Sequence, residues 1–147
     1  MIRQDAPLLS RVLIADTDAA LRQQLSARLL DLDVFSDCIS NAPDALAKLE
    51  ESSYSLVIAD VGLPDGGIEQ ILGRIATFPE SGKRRPIVLV LASRPEATRT
   101  LDVDVVQIVL RRPVDMSQLI DLVRSCLRSA AAPRRDRRDG DGPQVRS

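Results

Sequence analysis

Histidine is absent from all 147 residues. That absence removes imidazole acid–base catalysis, most zinc sites and any histidine phosphodonor within the chain. Cysteine is scarce: Cys38 and Cys126 are the two, far apart and in apolar contexts. Without histidine they cannot complete a structural zinc site, and they read as buried free thiols rather than a disulfide. No apolar run approaches the roughly 20 residues that cross a bilayer, and Met1–Ser10 has no stretch resembling a secretion signal. A net charge of −1 gives no global case for nucleic acid or an anionic membrane surface. No internal repeat is visible at the scale of solenoids or propellers. The expectation is a cytoplasmic protein whose chemistry runs on carboxylates, hydroxyls, cations and backbone.

What is present is an alternation of apolar runs and amphipathic stretches. Val12–Ala15 is continuously apolar, as suits a strand covered on both faces, and Leu21, Leu25, Leu29 and Leu32 then recur at helical spacing. Val34–Ile39 alternates with polar residues and reads as a strand near the sheet edge. Asn41, with Pro43 in the first turn, caps a helix whose inner face carries Leu46 and Leu49. Leu56–Ala59 is a third strand. The turn Leu63–Gly67 leads to a helix marked by Ile68, Ile71, Leu72 and Ile75, which Pro79 keeps from continuing far. Ile87–Leu91 is the fourth strand, Pro95–Leu101 a short helix, and Val105–Leu110 the fifth strand. Asp115 with Gln118 forms a capping-box pattern before a last helix carrying Met116, Leu119, Ile120, Val123 and Leu127 on its inner face.

Strand–helix–strand crossovers are right-handed. The pattern therefore predicts an α/β fold: a doubly wound five-stranded parallel sheet, order 2-1-3-4-5, in a flavodoxin-like three-layer α/β/α sandwich. Residues 1–9 are an N-terminal extension, 10–129 the domain, and 130–147 a tail. Pro133–Ser147 holds five Arg, three Asp, two Gly and two Pro with one Val, so it cannot offset its own ordering entropy and reads as disordered.

Three polar stations follow strands: Asp16-Thr17-Asp18, Asp60, and Arg111-Arg112-Pro113. In a doubly wound sheet the carboxyl ends of neighbouring strands meet at the point where strand order reverses, so Asp16, Asp60 and Arg112 share one pocket. Each also has a plainer reading. Asp60 could be a solvated carboxylate at a strand end, Asp16 an acid favoured by a helix dipole, and Asp18 a helix cap. Arg112 reads as an ion-pair partner of Asp60 or Asp16, Arg111 as solvated, and the stripe on the last helix as core.

With these stations in this order, residues 10–129 resemble the receiver domains of two-component response regulators. The resemblance implies that Asp60 is a phosphoacceptor, taking a phosphoryl group from the phosphohistidine of a partner histidine kinase or phosphotransfer protein. It implies Mg²⁺ held by Asp16, Asp60 and the Gly62 carbonyl, but Thr17 replaces the second acidic ligand, so the metal is weakly bound or absent. The family's lysine falls on Arg112, bulkier and able to clamp Asp60. The family's Thr or Ser falls on Leu91 or Ala92, which have no hydroxyl, with Ser93 one residue further on. Its strand-five aromatic falls on Val109. The fold is kept and the switch is altered.

Three readings follow. The first is a single-domain response regulator, not an enzyme beyond its own phosphorylation and dephosphorylation, that signals to a downstream protein or a second copy of itself. The second is a pseudo-receiver, a protein-binding adaptor held in one state by Arg112 and Asp60. The third is a phosphohydrolase similar to haloacid dehalogenases, with Asp16 as nucleophile and Asp18 as acid/base. Ala19-Ala20 and the lack of a later paired-Asp station stand against it.

Overall fold

A computed structural model of the chain describes residues 10–82 and 84–131. Strands β1 (Arg11–Ala15), β2 (Phe35–Ile39), β3 (Leu56–Asp60), β4 (Ile87–Ala92) and β5 (Ile108–Arg111) form one sheet. Its order is β2-β1-β3-β4-β5, and every neighbouring pair is parallel. Helices α1 (Ala19–Leu30) and α5 (Met116–Ala131) cover one face; α2 (Ala42–Glu51), α3 (Gly67–Ala76) and the single turn α4 (Phe78–Ser81) cover the other. This is the expected doubly wound sandwich. The tail from Ala132 and the extension to Leu9 lie outside the described residues.

The sheet is the spine of the core because its central strands are apolar on both faces. Val12, Ile14, Leu56, Ile58, Leu89 and Leu91 meet Leu21, Leu25 and Leu29 of α1 and Leu119, Val123 and Leu127 of α5. Leu13, Ala15, Val57, Ala59, Val88 and Val90 meet Ala45 and Leu49 of α2 and Ile68, Ile71 and Ile75 of α3. The stripe on the last helix is core, as expected. The helices begin where the sequence has capping residues: Asp18 accepts from the Leu21 amide, Asn41 from that of Asp44, and Asp115 from that of Gln118. Each cap satisfies an amide the helix itself leaves unpaired.

Three expectations need correction. Pro95–Leu101 is not an α-helix; only Pro95–Thr98 forms a 3₁₀ turn, and Leu101 instead plugs the core on the α2–α3 side. Its neighbours are turn formers, with the Asp102 carbonyl taking the amides of Val105 and Val106 and its side chain taking that of Asp104. For the same reason β5 starts at Ile108, not at Val105. Val105 is buried in the core, and the Gln107 side chain accepts the Val88 amide at 2.7 Å, standing in for a strand carbonyl. As expected, α3 does not run on to Pro79 but ends at Ala76; Pro79 itself lies in the first turn of the short helix Phe78–Ser81, where a proline is tolerated. Cys38 is exposed rather than buried, since β2 is an edge strand with β1 as its one sheet neighbour; Cys126 is buried.

Between β3 and α3 the chain turns through two left-handed residues, Asp65 and Gly66, with φ of 59° and 65°. Gly67 follows, buried, where α3 passes closest to α2. A Cβ there would stand 2.9 Å from the Ala42 Cβ and 3.2 Å from the Leu63 Cβ. Gly67→Ala is therefore expected to lower stability by about 1–3 kcal/mol through overpacking. Leu89→Ala, which empties a fully buried site in β4, should cost about 2–5 kcal/mol. Urea unfolding followed by far-ultraviolet circular dichroism measures both.

Candidate functional site

The carboxyl ends of β1, β3 and β5 bring Asp16, Asp60 and Arg112 into direct contact. Asp16 is the first residue beyond β1; its amide donates to the Ile39 carbonyl of β2, which holds it against the sheet edge. Its residue exposure is 2%, making it the one buried charged residue among the described residues. Asp60 ends β3 with a side chain 13% exposed. Arg112 follows β5, and its amide donates to the Ala92 carbonyl at 2.9 Å, extending the β4–β5 ladder by one bond. Strand pairing alone therefore fixes where all three backbones stand.

The side chains then close a bridge. Arg112 Nε donates to Asp60 Oδ1 at 3.2 Å, and Arg112 Nη2 donates to Asp16 Oδ2 in a close ion pair. One guanidinium spans two carboxylates from two strands, which its planar fork allows and a single ammonium does less well. Backbone donors reach both carboxylates as well. Asp16 Oδ1 accepts the Asp18 amide at 2.9 Å, and Asp60 accepts from the Gly62 backbone. A Cβ at Gly62 would lie 3.1 Å from Asp60 Oδ2, so a larger residue there would crowd the carboxylate.

A fourth residue belongs to the site and has no station of its own in the sequence. Arg22, on the second turn of α1, donates from Nη1 to the Asp16 carbonyl at 2.7 Å. Asp16 is thus held by one arginine at its main chain and by another at its carboxylate. The only trace in the sequence is a cation beside Leu21 at the border of the buried stripe.

Electrostatics follow from burial and from one cation shared by two anions. Burial pushes the Asp60 carboxyl above its ordinary value; Arg112 opposes this, Asp16 adds to it, and the upward direction prevails. Burial works against the Arg112 charge, but Asp16 and Asp60 more than offset it, and the guanidinium is held charged.

Other residues implied by the resemblance fall around this centre without joining the bridge. Ala92 is buried at the end of β4 beside Arg112 and offers no hydroxyl, and Ser93 is exposed. Thr17 is exposed, and Asp18 is spent on capping α1. Arg111 is exposed. Val109 lies on β5 and is 44% exposed, where an aromatic would have been expected to report the switch.

The residues present do not fit a resident Mg²⁺. A magnesium ion requires several oxygen ligands in near-octahedral geometry. The described residues contain no group of three or more acidic, cysteine or histidine side chains able to hold a metal. One oxygen of each carboxylate, Asp16 Oδ2 and Asp60 Oδ1, is already taken by Arg112.

Removing the bridge should be costly. Arg112→Ala leaves Asp16 buried without its counter-ion and is expected to lower stability by about 3 kcal/mol in metal-free buffer. Asp60→Asn should act in the opposite direction. With its folded-state carboxyl raised above the ordinary 3.8, Asp60 costs stability as pH rises through that window. The variant should then melt above wild type at neutral pH, the gain vanishing once pH falls well below 3.8. Calorimetric melting across pH checks both.

Comparison with known proteins gives a consistent picture of the fold. No family model matches the chain. It is 32% identical over 129 residues to a transcriptional regulatory protein CpxR homolog of Haemophilus influenzae, across 85% of this chain and 53% of that protein. The chain therefore spans about half the length of that relative. An uncharacterized 14.6 kDa protein of Leptolyngbya boryana is 29% identical over 117 residues, across 79% of this chain and 89% of the relative. Among solved structures, response regulator protein TrrA of Thermotoga maritima, in complex with Mg(2+)-BeF, superposes with a TM-score of 0.66 at 21% identity. That match covers 80% of this chain and 99% of TrrA.

Proposed function

We propose that this chain, whose fold is that of the response-regulator receiver domains and whose sequence is similar to response regulators, is a phosphoacceptor signalling domain working through Asp60. The observation that carries the reading is the pairing of Asp60 with Arg112 at the sheet's carboxyl edge. A nucleophilic carboxylate and a cation able to meet incoming negative charge are in contact there. A partner histidine kinase or phosphotransfer protein would supply the phosphoryl group from phosphohistidine. The P–N bond breaks as a P–O bond forms to an Asp60 oxygen, and Arg112 takes the added negative charge. Pairing with the phosphoryl group draws Arg112 away from Asp16. That shifts the β5–α5 junction, which Arg112 begins, and so alters the surface offered to a downstream protein or a second copy.

Signalling by contact fits the covered region, which is a single receiver-type unit among the described residues. No helix among those residues is long and apolar enough to cross a membrane; a cytoplasmic location is part of the proposal. The reading includes no turnover beyond phosphorylation and loss of the phosphoryl group. A phosphohydrolase of the haloacid-dehalogenase kind would need Asp18 as acid/base, and its carboxylate accepts the Leu21 amide at the start of α1.

One observation favours a second reading. Arg112 satisfies both carboxylates at once, and Ala92 lacks the hydroxyl that would hold a phosphoryl group. A pseudo-receiver held permanently in one state, serving as a binding adaptor, would have this pocket.

Incubation with acetyl phosphate, with and without Mg²⁺, followed by intact-mass analysis, separates the two readings. Wild type is expected to gain one phosphoryl group and Asp60→Asn none. An unlabelled wild type, or equal labelling of both, overturns the acceptor reading and leaves the adaptor.

A further inference from the structure

We infer that Arg112 is the resident cation of this pocket, so that the receiver-like carboxylate pair is closed to divalent metal by a residue of the chain itself. The inference deepens the phosphoacceptor reading, on which its signalling meaning rests, but its physical content stands on geometry alone.

The charges can be counted directly. Asp16 and Asp60 bring two negative charges, and the guanidinium brings one positive charge placed between them. Asp16 Oδ2 and Asp60 Oδ1 are the two oxygens that Arg112 holds. A divalent ion that bridges the two carboxylates through those oxygens competes with Arg112 for them. It would then share the site with a guanidinium at contact distance, in a place where water does little to screen like charges. Asp16 cannot easily turn another oxygen outward, because Oδ1 accepts the Asp18 amide and its carbonyl is held by Arg22.

The third ligand that could tip the balance is missing. Thr17 supplies no charge, and Asp18 is occupied with the helix cap. Mg²⁺ sheds water reluctantly and needs strong oxygen donors in return. Two shared carboxylates and backbone oxygen do not provide enough to expel a guanidinium that both acids hold charged. Arg112 therefore determines the pocket's ion selectivity: metal is excluded, and a phosphoryl group meets an organic cation already in position. Arg22 holds the Asp16 main chain through its carbonyl.

The test is a Mg²⁺ titration of full-length protein without any phosphodonor. It is read by amide chemical shifts of Asp16, Asp60 and their neighbours and by the thermal midpoint in EDTA against millimolar Mg²⁺. Wild type should show neither saturable shifts nor a change in midpoint. Arg112→Ala should acquire saturable Mg²⁺ shifts at those residues, at least about tenfold tighter than any wild-type response. Its midpoint should rise with Mg²⁺, and Asp16→Asn added to it should abolish the gain. Arg112→Gln, which keeps donors but loses the charge, provides the same reading if Arg112→Ala does not fold.

Saturable Mg²⁺ shifts at Asp16 and Asp60 in wild type overturn the inference, as does a charge-free variant that stays blind to Mg²⁺. Failure here is distinct from failure of the acceptor reading. A wild type that binds Mg²⁺ and is labelled by acetyl phosphate keeps the acceptor and loses the resident cation. One blind to Mg²⁺ and never labelled does the reverse.

Discussion

A single guanidinium between two carboxylates ties this domain together at its functional edge. Asp16 follows β1, Asp60 ends β3 and Arg112 follows β5, so the bridge joins three non-consecutive parts of the chain. The sheet order brings these three positions to one edge once the strands pair, because β1 and β3 are neighbours and their carboxyl ends lie beside the end of β5 across β4. The energetic logic is that of a buried ion cluster. Its value lies less in net stability than in the cost of every arrangement that leaves Asp16 alone.

That constraint gives meaning to the departures from the receiver pattern. Ala92 offers no hydroxyl and Val109 no aromatic ring at the two positions on β4 and β5 where the resemblance leads one to expect them. What remains in the same neighbourhood is Arg112, one residue beyond β5 and four before α5. The inner face of α5, with Leu119, Val123 and Leu127, packs on the core with α1.

Much of this was legible in the sequence because local patterns and global topology agreed. Apolar runs such as Val12–Ala15 and Leu56–Ala59 gave the strands, the Leu21–Leu25–Leu29 stripe gave α1, and Asn41 and Asp115 marked helix starts. The convergence of Asp16, Asp60 and Arg112 followed from topology alone. The stretch between β4 and β5 was misread, since an apolar residue such as Leu101 or Val105 serves equally in a helix, a strand or a core plug. Burial of Cys38 was misread because an apolar context does not tell an edge strand from a central one. Arg22 was missed because its partner is a main-chain carbonyl, which has no signature in the sequence. The simultaneous grip of Arg112 on both acids also required coordinates, since spacing cannot say which of two carboxylates an arginine selects.

Tyr54 is the single tyrosine of a chain without tryptophan. It is buried before β3, its hydroxyl donating to Asp37 Oδ2 at 2.6 Å while Arg11 pairs with the same oxygen. That cluster anchors the end of the sheet opposite the pocket. The protein's intrinsic ultraviolet emission therefore originates at the far pole from its chemistry. It will register the loss of the whole β-layer and stay nearly silent while the acidic edge changes occupant, so an optical view of that edge has to be built in with an introduced fluorophore.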